Sequence, residues 1–213
     1  MKIGKIQFDL LNPEIFDGMN ERIERAGRTC YKSECKGKPD EFVSMLITRG
    51  HEAMLEHGGM ISVKVICDRA LTHELVRHRI GFSYAQESQR YCNYSKDKFD
   101  NSVTFIQPPE FEEGSLEYTT WKHACEVSEK MYFELLRLGV TPQIARGVLP
   151  NSTKTEIIIS ANPRAWRDWF KLRADSHAHP HMQNFAYALL DVFSSYNLVL
   201  FNDLEKRTYE VEK

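Results

Sequence analysis

At 213 residues, with 42% hydrophobic and 11% aromatic content, the chain has material for one substantial core, expected as a single domain over residues 1–213. A net charge of −2 excludes a general nucleic-acid coat and leaves anion binding to local cationic patches. No N-terminal apolar segment or 18-residue apolar run is present, so neither a signal peptide nor a membrane span is expected, and five cysteines without a C-x-x-C pair point to reduced thiols and a cytoplasmic location.

Ile6, Phe8 and Leu10 alternate within residues 3–11, which predicts a first strand. Asn12 and Pro13 open a turn or helical region leading into a helix over 21–31. A second helix is expected over 39–49, with Phe42, Met45 and Leu46 on one stripe and Gly50 as its stop. His51, Glu52, Glu56 and His57 raise a zinc site. Metalloprotease geometry, however, needs two histidines one helical turn apart in H-E-x-x-H, and His51 and His57 do not have that spacing. Residues 60–67 alternate cleanly, with Ile61, Val63, Val65 and Cys67 on one face, so this is a strand with one side on the core. Cys67 belongs to that apolar set and reads as a small buried hydrophobe.

Asp68 stands as the N-cap of a helix that carries Arg77, His78 and Arg79 at its C-terminal end, where the helix dipole favours cations. Beyond it, Gly81 followed by Ser83, Gln86, Glu87, Ser88 and Gln89 predicts a hydroxyl- and amide-lined loop leading to Arg90 and Tyr91. Cations this close need solvent or a bound anion, because each like pair a few ångströms apart costs on the order of 1 kcal/mol. Phosphate is the natural partner, since the guanidinium fork matches its oxygens two at a time. An ordinary Arg-rich segment is a solvated face with weak ion pairs. Against that bland reading stand the helix end, the polar loop and the recurrence of cations at Arg146, Arg164 and Arg173 beside turn or helix signals.

Further along, residues 103–106 read as a strand ended by Pro108 and Pro109, and residues 115–138 as a long amphipathic core helix closed by Gly139. Thr141 and Pro142 start a short helix that places Arg146 ahead of Pro150. Residues 153–161 are strand-like, and Asn162 with Pro163 caps a helix to about Arg173, on which Arg164 and Asp168 share a face at i, i+4. Arg173 and His177 share one if that helix continues. His177, His179 and His181 would aim together only on a strand; Pro180 and the spacing of Met182, Phe185, Leu189 and Phe193 predict a new helix, running to about Leu204 before a charged tail.

The segment RHRIGFSYAQESQRY (77–91) resembles the RHR(x7)S signature of flavin-dependent thymidylate synthases, continuing through Ser88, Gln89, Arg90 and Tyr91 as that family's S-x-R-Y does. GHEAMLEH (50–57) is similar to the family's GH-x-x-x-x-EH element, and ARGVLP (145–150), NPR (162–164) and LRADSHA (172–178) follow in the family's order. There are departures. Eight residues separate Arg79 from Ser88 where the pattern has seven, with Gly81 the natural place for the extra residue. Ala53 replaces an expected Ser or Thr, Asp168 an expected Asn, and Glu74 and Gln86 exchange the family's amide and carboxylate.

The resemblance implies an α+β fold, an antiparallel sheet packed with helices, assembled as a homotetramer with sites at subunit interfaces. It implies FAD as cofactor, NADPH and 5,10-methylenetetrahydrofolate as cosubstrates, and dUMP as the substrate converted to dTMP. The FAD set it implies is His51, Ala53, Glu56, Arg77, His78, Arg79, Gln86, Asn162, Arg164 and Asp168. The dUMP set is Glu74, Arg77, Gln86, Glu87, Ser88, Gln89, Arg90, Arg146 and Arg173, with Arg146 contributed by a neighbouring subunit. No metal and no membrane or nucleic-acid partner is implied. Arg173 matches the residue credited with catalysis: a guanidinium beside the pyrimidine stabilises charge on the ring oxygens when N3 loses its proton, pushing electron density to carbon 5. None of the cysteines has an activated setting, Cys92 being the nearest candidate.

Two readings compete. A nucleic-acid-binding module would use Arg77, Arg79 and Arg90 with Phe82, Tyr84 and Tyr91 as stacking platforms, and would bind with steep salt dependence and no chromophore. A metal hydrolase built on His51, His57 and His177 would carry zinc.

Overall fold

The computed structural model describes residues 1–30 and 32–204, so the expectations for Tyr31 and for the charged tail beyond Leu204 lie outside the described residues. Helices combine with a two-stranded and a four-stranded sheet, consistent with the α+β class. The expected first strand is in fact two, β1 (Lys2–Gly4) and β2 (Gln7–Leu10), which serve different sheets. β1 pairs with β5 (Thr104–Ile106), Lys2 opposite Thr104 and Gly4 opposite Ile106. That pairing is parallel. β2 lies at one edge of the second sheet, whose order is β2-β3-β6-β4, with β3 at Ile61–Asp68, β4 at Phe82–Gln86 and β6 at Lys154–Ala161. The alternation read in β3 is exact in its outcome, since Ile61, Val63, Val65 and Cys67 are all fully buried.

By contacts the chain divides into two compact units. The first comprises residues 1–9, 64–77 and 84–158. Its core gathers Tyr94, Val103, Phe105, Cys125, Tyr132 and Ala145. α4 (Leu116–Arg137) forms because Ser115 accepts a hydrogen bond from the Tyr118 backbone N–H at 3.1 Å, and it ends ahead of Gly139, whose φ of +85° suits only glycine. The short α3 (Arg69–Leu75) follows β3 directly, with Asp68 capping it through Leu71 N–H at 2.7 Å. α3 stops at Leu75, so Arg77 lies beyond its end. Where a polar loop was expected, Phe82–Gln86 forms β4; as an outer strand it tolerates polar residues that an inner one would not. α5 (Pro142–Ala145) places Arg146 at its end, in a 3-10 turn over Arg146–Val148.

The second unit comprises residues 10–63, 78–83 and 159 onward. It holds α1 (Met19–Cys30), α2 (Pro39–Thr48), a 3-10 helix (Glu52–Gly58), α6 (Pro163–Arg173), α7 (Pro180–Tyr196) and α8 (Leu198–Phe201). α6 is fixed by Asn162, whose Oδ1 accepts from Ala165 N–H at 2.9 Å, and by Pro163 in its first turn. Its inner face is aromatic: Trp166, Trp169 and Phe170 meet Phe185, Phe193 and Phe201 edge-on, with centroids 5.2 to 6.0 Å apart. Such edge-to-face packing adds to area burial. The last helix does not run to Leu204: it ends at Tyr196, and Asn197 restarts the chain by capping α8 through Leu200 N–H at 3.2 Å.

α6 also carries a buried cation. Arg167, 1% exposed, donates from both terminal nitrogens to Asp203 at 2.6 Å, from one to the Leu200 carbonyl, and approaches Glu52 at 3.5 Å. Burial opposes its charge, but the carboxylates of Asp203 and Glu52 win and hold it protonated beyond the ordinary arginine range.

Candidate active site

The RHR run falls across the chain division, Arg77 belonging to the first unit and His78 and Arg79 to the second. Each unit carries its own cluster of the expected residues.

In the first unit, Gln86 at the end of β4 is anchored from behind. Its amide nitrogen donates to the hydroxyls of Thr72 at 3.0 Å and Thr155 at 3.3 Å, two fully buried threonines that sequence reading passed over. Thr72 lies on α3, the same element as Glu74, and Thr155 on β6. Glu87 pairs its backbone N–H with Glu156 O at 2.8 Å, and its carboxylate accepts from Tyr94 Oη at 3.1 Å and from Lys154 at 3.4 Å. Burial, then the Glu87 charge, pushes the Tyr94 phenol up, so it stays a neutral donor. Lys154 and Lys64 in turn hold the Glu156 carboxyl below its usual range, Lys154 first. The Ser88 carbonyl accepts from Tyr91 and Cys92 N–H at 3.0 and 2.9 Å, a tight turn that leaves Arg90 exposed with its guanidinium 5.5 Å from the Tyr91 ring centre. Gln89 is buried, with an amide nitrogen lacking a hydrogen-bond partner. Arg146 sits on its own turn, and no hydrogen bond or ion pair joins it to Ser88 or Arg90 among the described residues.

In the second unit the 3-10 helix, residues 78–83 and α6 converge. Arg164 donates to Glu56 at 2.6 Å, and that carboxylate raises the arginine's already high pKa. The i, i+4 pairing of Arg164 with Asp168 is therefore not made; Asp168 faces Lys171 at 3.4 Å instead. Gly81, at φ +79°, packs so closely on α6 that a Cβ there would stand 2.9 Å from the Cβ of Ala165. α6 ends at Arg173, whose Nε donates to His78 Nε2 at 2.8 Å. His177 does not share a helical face with it, because the helix has ended; His177 bonds Asp175 at 2.8 Å. Burial, then the neighbouring Arg173 charge, lowers the His78 pKa to about 4, so the imidazole is neutral near pH 7 and accepts through Nε2. His51, Ala53 and Arg79 are exposed, and Asn162 spends its side-chain oxygen on the α6 cap.

Beside the 3-10 helix lies an open cavity of about 600 Å3, lined by Arg22, Arg25, Ala26, Thr29, Cys30, Met54 and His57. Its α1 residues recur at helical spacing, the one signal that could have marked them in the sequence. The exposed Arg79 and the half-buried Arg164, which Glu56 holds by an ion pair, form a donor set whose chemistry fits a phosphate-bearing dinucleotide such as FAD. Glu56 and Asp168 keep that face from excess positive charge.

The competing readings lose ground on geometry. Phe82 packs edge-on against Trp166 at 5.3 Å and Tyr84 spends its hydroxyl on the Leu75 carbonyl at 2.7 Å, so of the three proposed stacking rings only Tyr91 is exposed. Among the described residues no group of three or more metal-ligating side chains is found, and no helix is long and apolar enough to cross a membrane.

Comparison with known proteins completes the description. The family model Thy1, thymidylate synthase complementing protein, matches residues 14–196, which span both units. A flavin-dependent thymidylate synthase of Mycolicibacterium gilvum is 33% identical over 209 residues, 89% of this chain and 81% of the relative. That of Mycolicibacterium vanbaalenii is 34% identical over 215 residues, 88% and 83%. A crystal structure of the UMP/dUMP methylase PolB from Streptomyces cacaoi, bound with 5-Br UMP, shares the fold at TM-score 0.77 and 21% identity, covering 96% of this chain and 97% of that one.

Proposed function

The chain belongs to the flavin-dependent thymidylate synthase family, and from that premise we propose that it transfers a methylene from 5,10-methylenetetrahydrofolate to carbon 5 of dUMP and reduces it, giving dTMP and tetrahydrofolate. FAD, reduced by NADPH, supplies the hydride when bound. Glu56, Asn162 and Arg164 with the exposed Arg79 hold this cofactor, and Ala53 contributes only its backbone.

Arg173 is the catalytic residue. Its guanidinium stabilises the anion left when uracil N3 gives up its proton, which raises the nucleophilicity of carbon 5 without a covalent thiolate adduct. The cysteines support that economy. Burial pushes the thiols of Cys67 and Cys92 above their ordinary range and that of Cys125 to about 11, so none of these three offers a thiolate at neutral pH. Ser88 and Arg90 grip the nucleotide phosphate, joined by Arg146 of a neighbouring copy in a homotetramer. Gln86 and Glu87, pinned by Thr72, Thr155, Tyr94 and Lys154, hold a rigid edge toward the nucleotide.

The observation that carries this reading is the 2.8 Å contact between Arg173 and the central histidine of the RHR run. It supports a guanidinium held ready by the motif itself. The test is the absorption spectrum of the pure protein together with dTMP formation from dUMP, NADPH and methylenetetrahydrofolate. Flavin bands and turnover are expected; a colourless protein that binds nucleic acid with steep salt dependence would overturn the reading. Analytical ultracentrifugation showing an active monomer would overturn the tetramer.

A further inference from the structure

The inner nitrogen of Arg173, not one of its two terminal nitrogens, makes the bond to His78. A bond at Nε restrains rotation of the whole guanidinium, because the plane of the fork contains Nε and both terminal nitrogens. The acceptor is itself held. The imidazole lies 6.4 Å from the Trp169 ring at 70° and 6.1 Å from Phe82 at 57°, and Trp169 is anchored in the buried aromatic core one helical turn before Arg173. Since Nε2 accepts, the ring proton stands on Nδ1.

We infer that His78 is a positioning residue for Arg173: its neutral Nε2 accepts the Arg173 Nε–H and sets the plane in which the guanidinium meets the pyrimidine. This role rests on the assignment of Arg173 made above and adds a second-layer requirement to it. Only a residue with an acceptor at this place does the work. A cation would repel Arg173, and an apolar side chain would remove this restraint on the fork, at a cost in kcat rather than in substrate affinity. The lowered basicity of His78 is consistent with that requirement, because it keeps the acceptor lone pair available across neutral pH.

The test uses the full-length flavoprotein and the variants His78→Gln, which keeps an acceptor, and His78→Leu, which does not. With kcat normalised to bound flavin, His78→Leu should lose at least about tenfold more in kcat than His78→Gln, with KM for dUMP similar in the two, as expected for loss of transition-state alignment. Equal losses in both variants would overturn the inference. A second measurement needs no turnover. In protein labelled with 15N histidine, His78 should appear as a single Nδ1–H tautomer with an unprotonated Nε2, and Arg173→Met should convert it to a tautomer mixture. A His78 signal indifferent to Arg173→Met overturns the pairing. A parent protein that binds flavin yet makes no dTMP would count against the proposed reaction, and the spectrum would still decide the pairing.

Discussion

Arg164 in the first turn of α6 reaches to Glu56 of the 3-10 helix at 2.6 Å and ignores Asp168, its i+4 neighbour. The choice is physical. Both carboxylates are within reach of a cation, but Asp168 has Lys171 three residues on, while Glu56 has no other cationic partner among the described residues. As an exposed pair it contributes little to folding, about 0.2–1 kcal/mol. Under the proposed function, the pair presets Arg164 for an anionic ligand. Arg164→Ala should therefore leave the urea midpoint almost unchanged and weaken FAD binding about 10- to 100-fold, the loss of one charge-assisted hydrogen bond. Fluorescence titration of the apoprotein with FAD reads this.

Arg90→Ala tests the phosphate grip. The guanidinium is exposed and, among the described residues, set against Tyr91, so folding should not depend on it. The expected result is a KM for dUMP raised about 10- to 100-fold, from loss of a charge-assisted contact, with flavin content unchanged. Steady-state kinetics at saturating folate and NADPH give the number.

Arg173→Ala should lower kcat by at least about 100-fold, the scale of removing one donor from a developing oxyanion. Bound flavin should persist, read from the absorbance of the purified variant. Turnover that survives would mean that uracil is activated elsewhere.

The Gly81 position has no slack. A φ of +79° is unfavourable for any residue with a Cβ, and that atom would meet Ala165 at 2.9 Å. Gly81→Ala should destabilise by about 1–3 kcal/mol, measured by denaturant unfolding. Because this turn leads from His78 toward β4, the variant should also lose activity at temperatures where it remains folded.

His78 makes stability depend on pH in a defined direction. Its folded pKa is about 4 against 6.5 for the free side chain, so the unfolded chain binds more protons between these values. The stabilising contribution is complete above about pH 6.5 and is lost as pH falls through 4. Urea midpoints should drop from pH 7 to pH 5, and the drop should shrink in His78→Gln, where the titrating group is gone.

Where the sequence was legible, the signal was local. The alternation of Ile61, Val63, Val65 and Cys67, and the caps at Asp68 and Asn162, each depend on neighbours within a few residues, and each stands in the structure as read. β4 was missed because Ser83 and Gln86 look like loop, and only pairing with β6 makes a strand of them. The partners Thr72 and Thr155 of Gln86, and Glu56 of Arg164, are set by packing between distant segments, which no spacing rule reports. The site motifs were legible through resemblance, but the contact between Arg173 and His78 was not. Nothing in the order RHR or LRADSHA says that the second residue of one meets the second of the other.

Arg167 gives protein synthesis a stake in the fold. Its guanidinium is buried, yet the carboxylate that neutralises it most directly, Asp203, follows 36 residues later in the chain. A nascent polypeptide interrupted before that residue carries a sequestered cation without its main counterion, a defect of several kcal/mol. Prematurely terminated products should therefore be poor folders and ready prey for proteases.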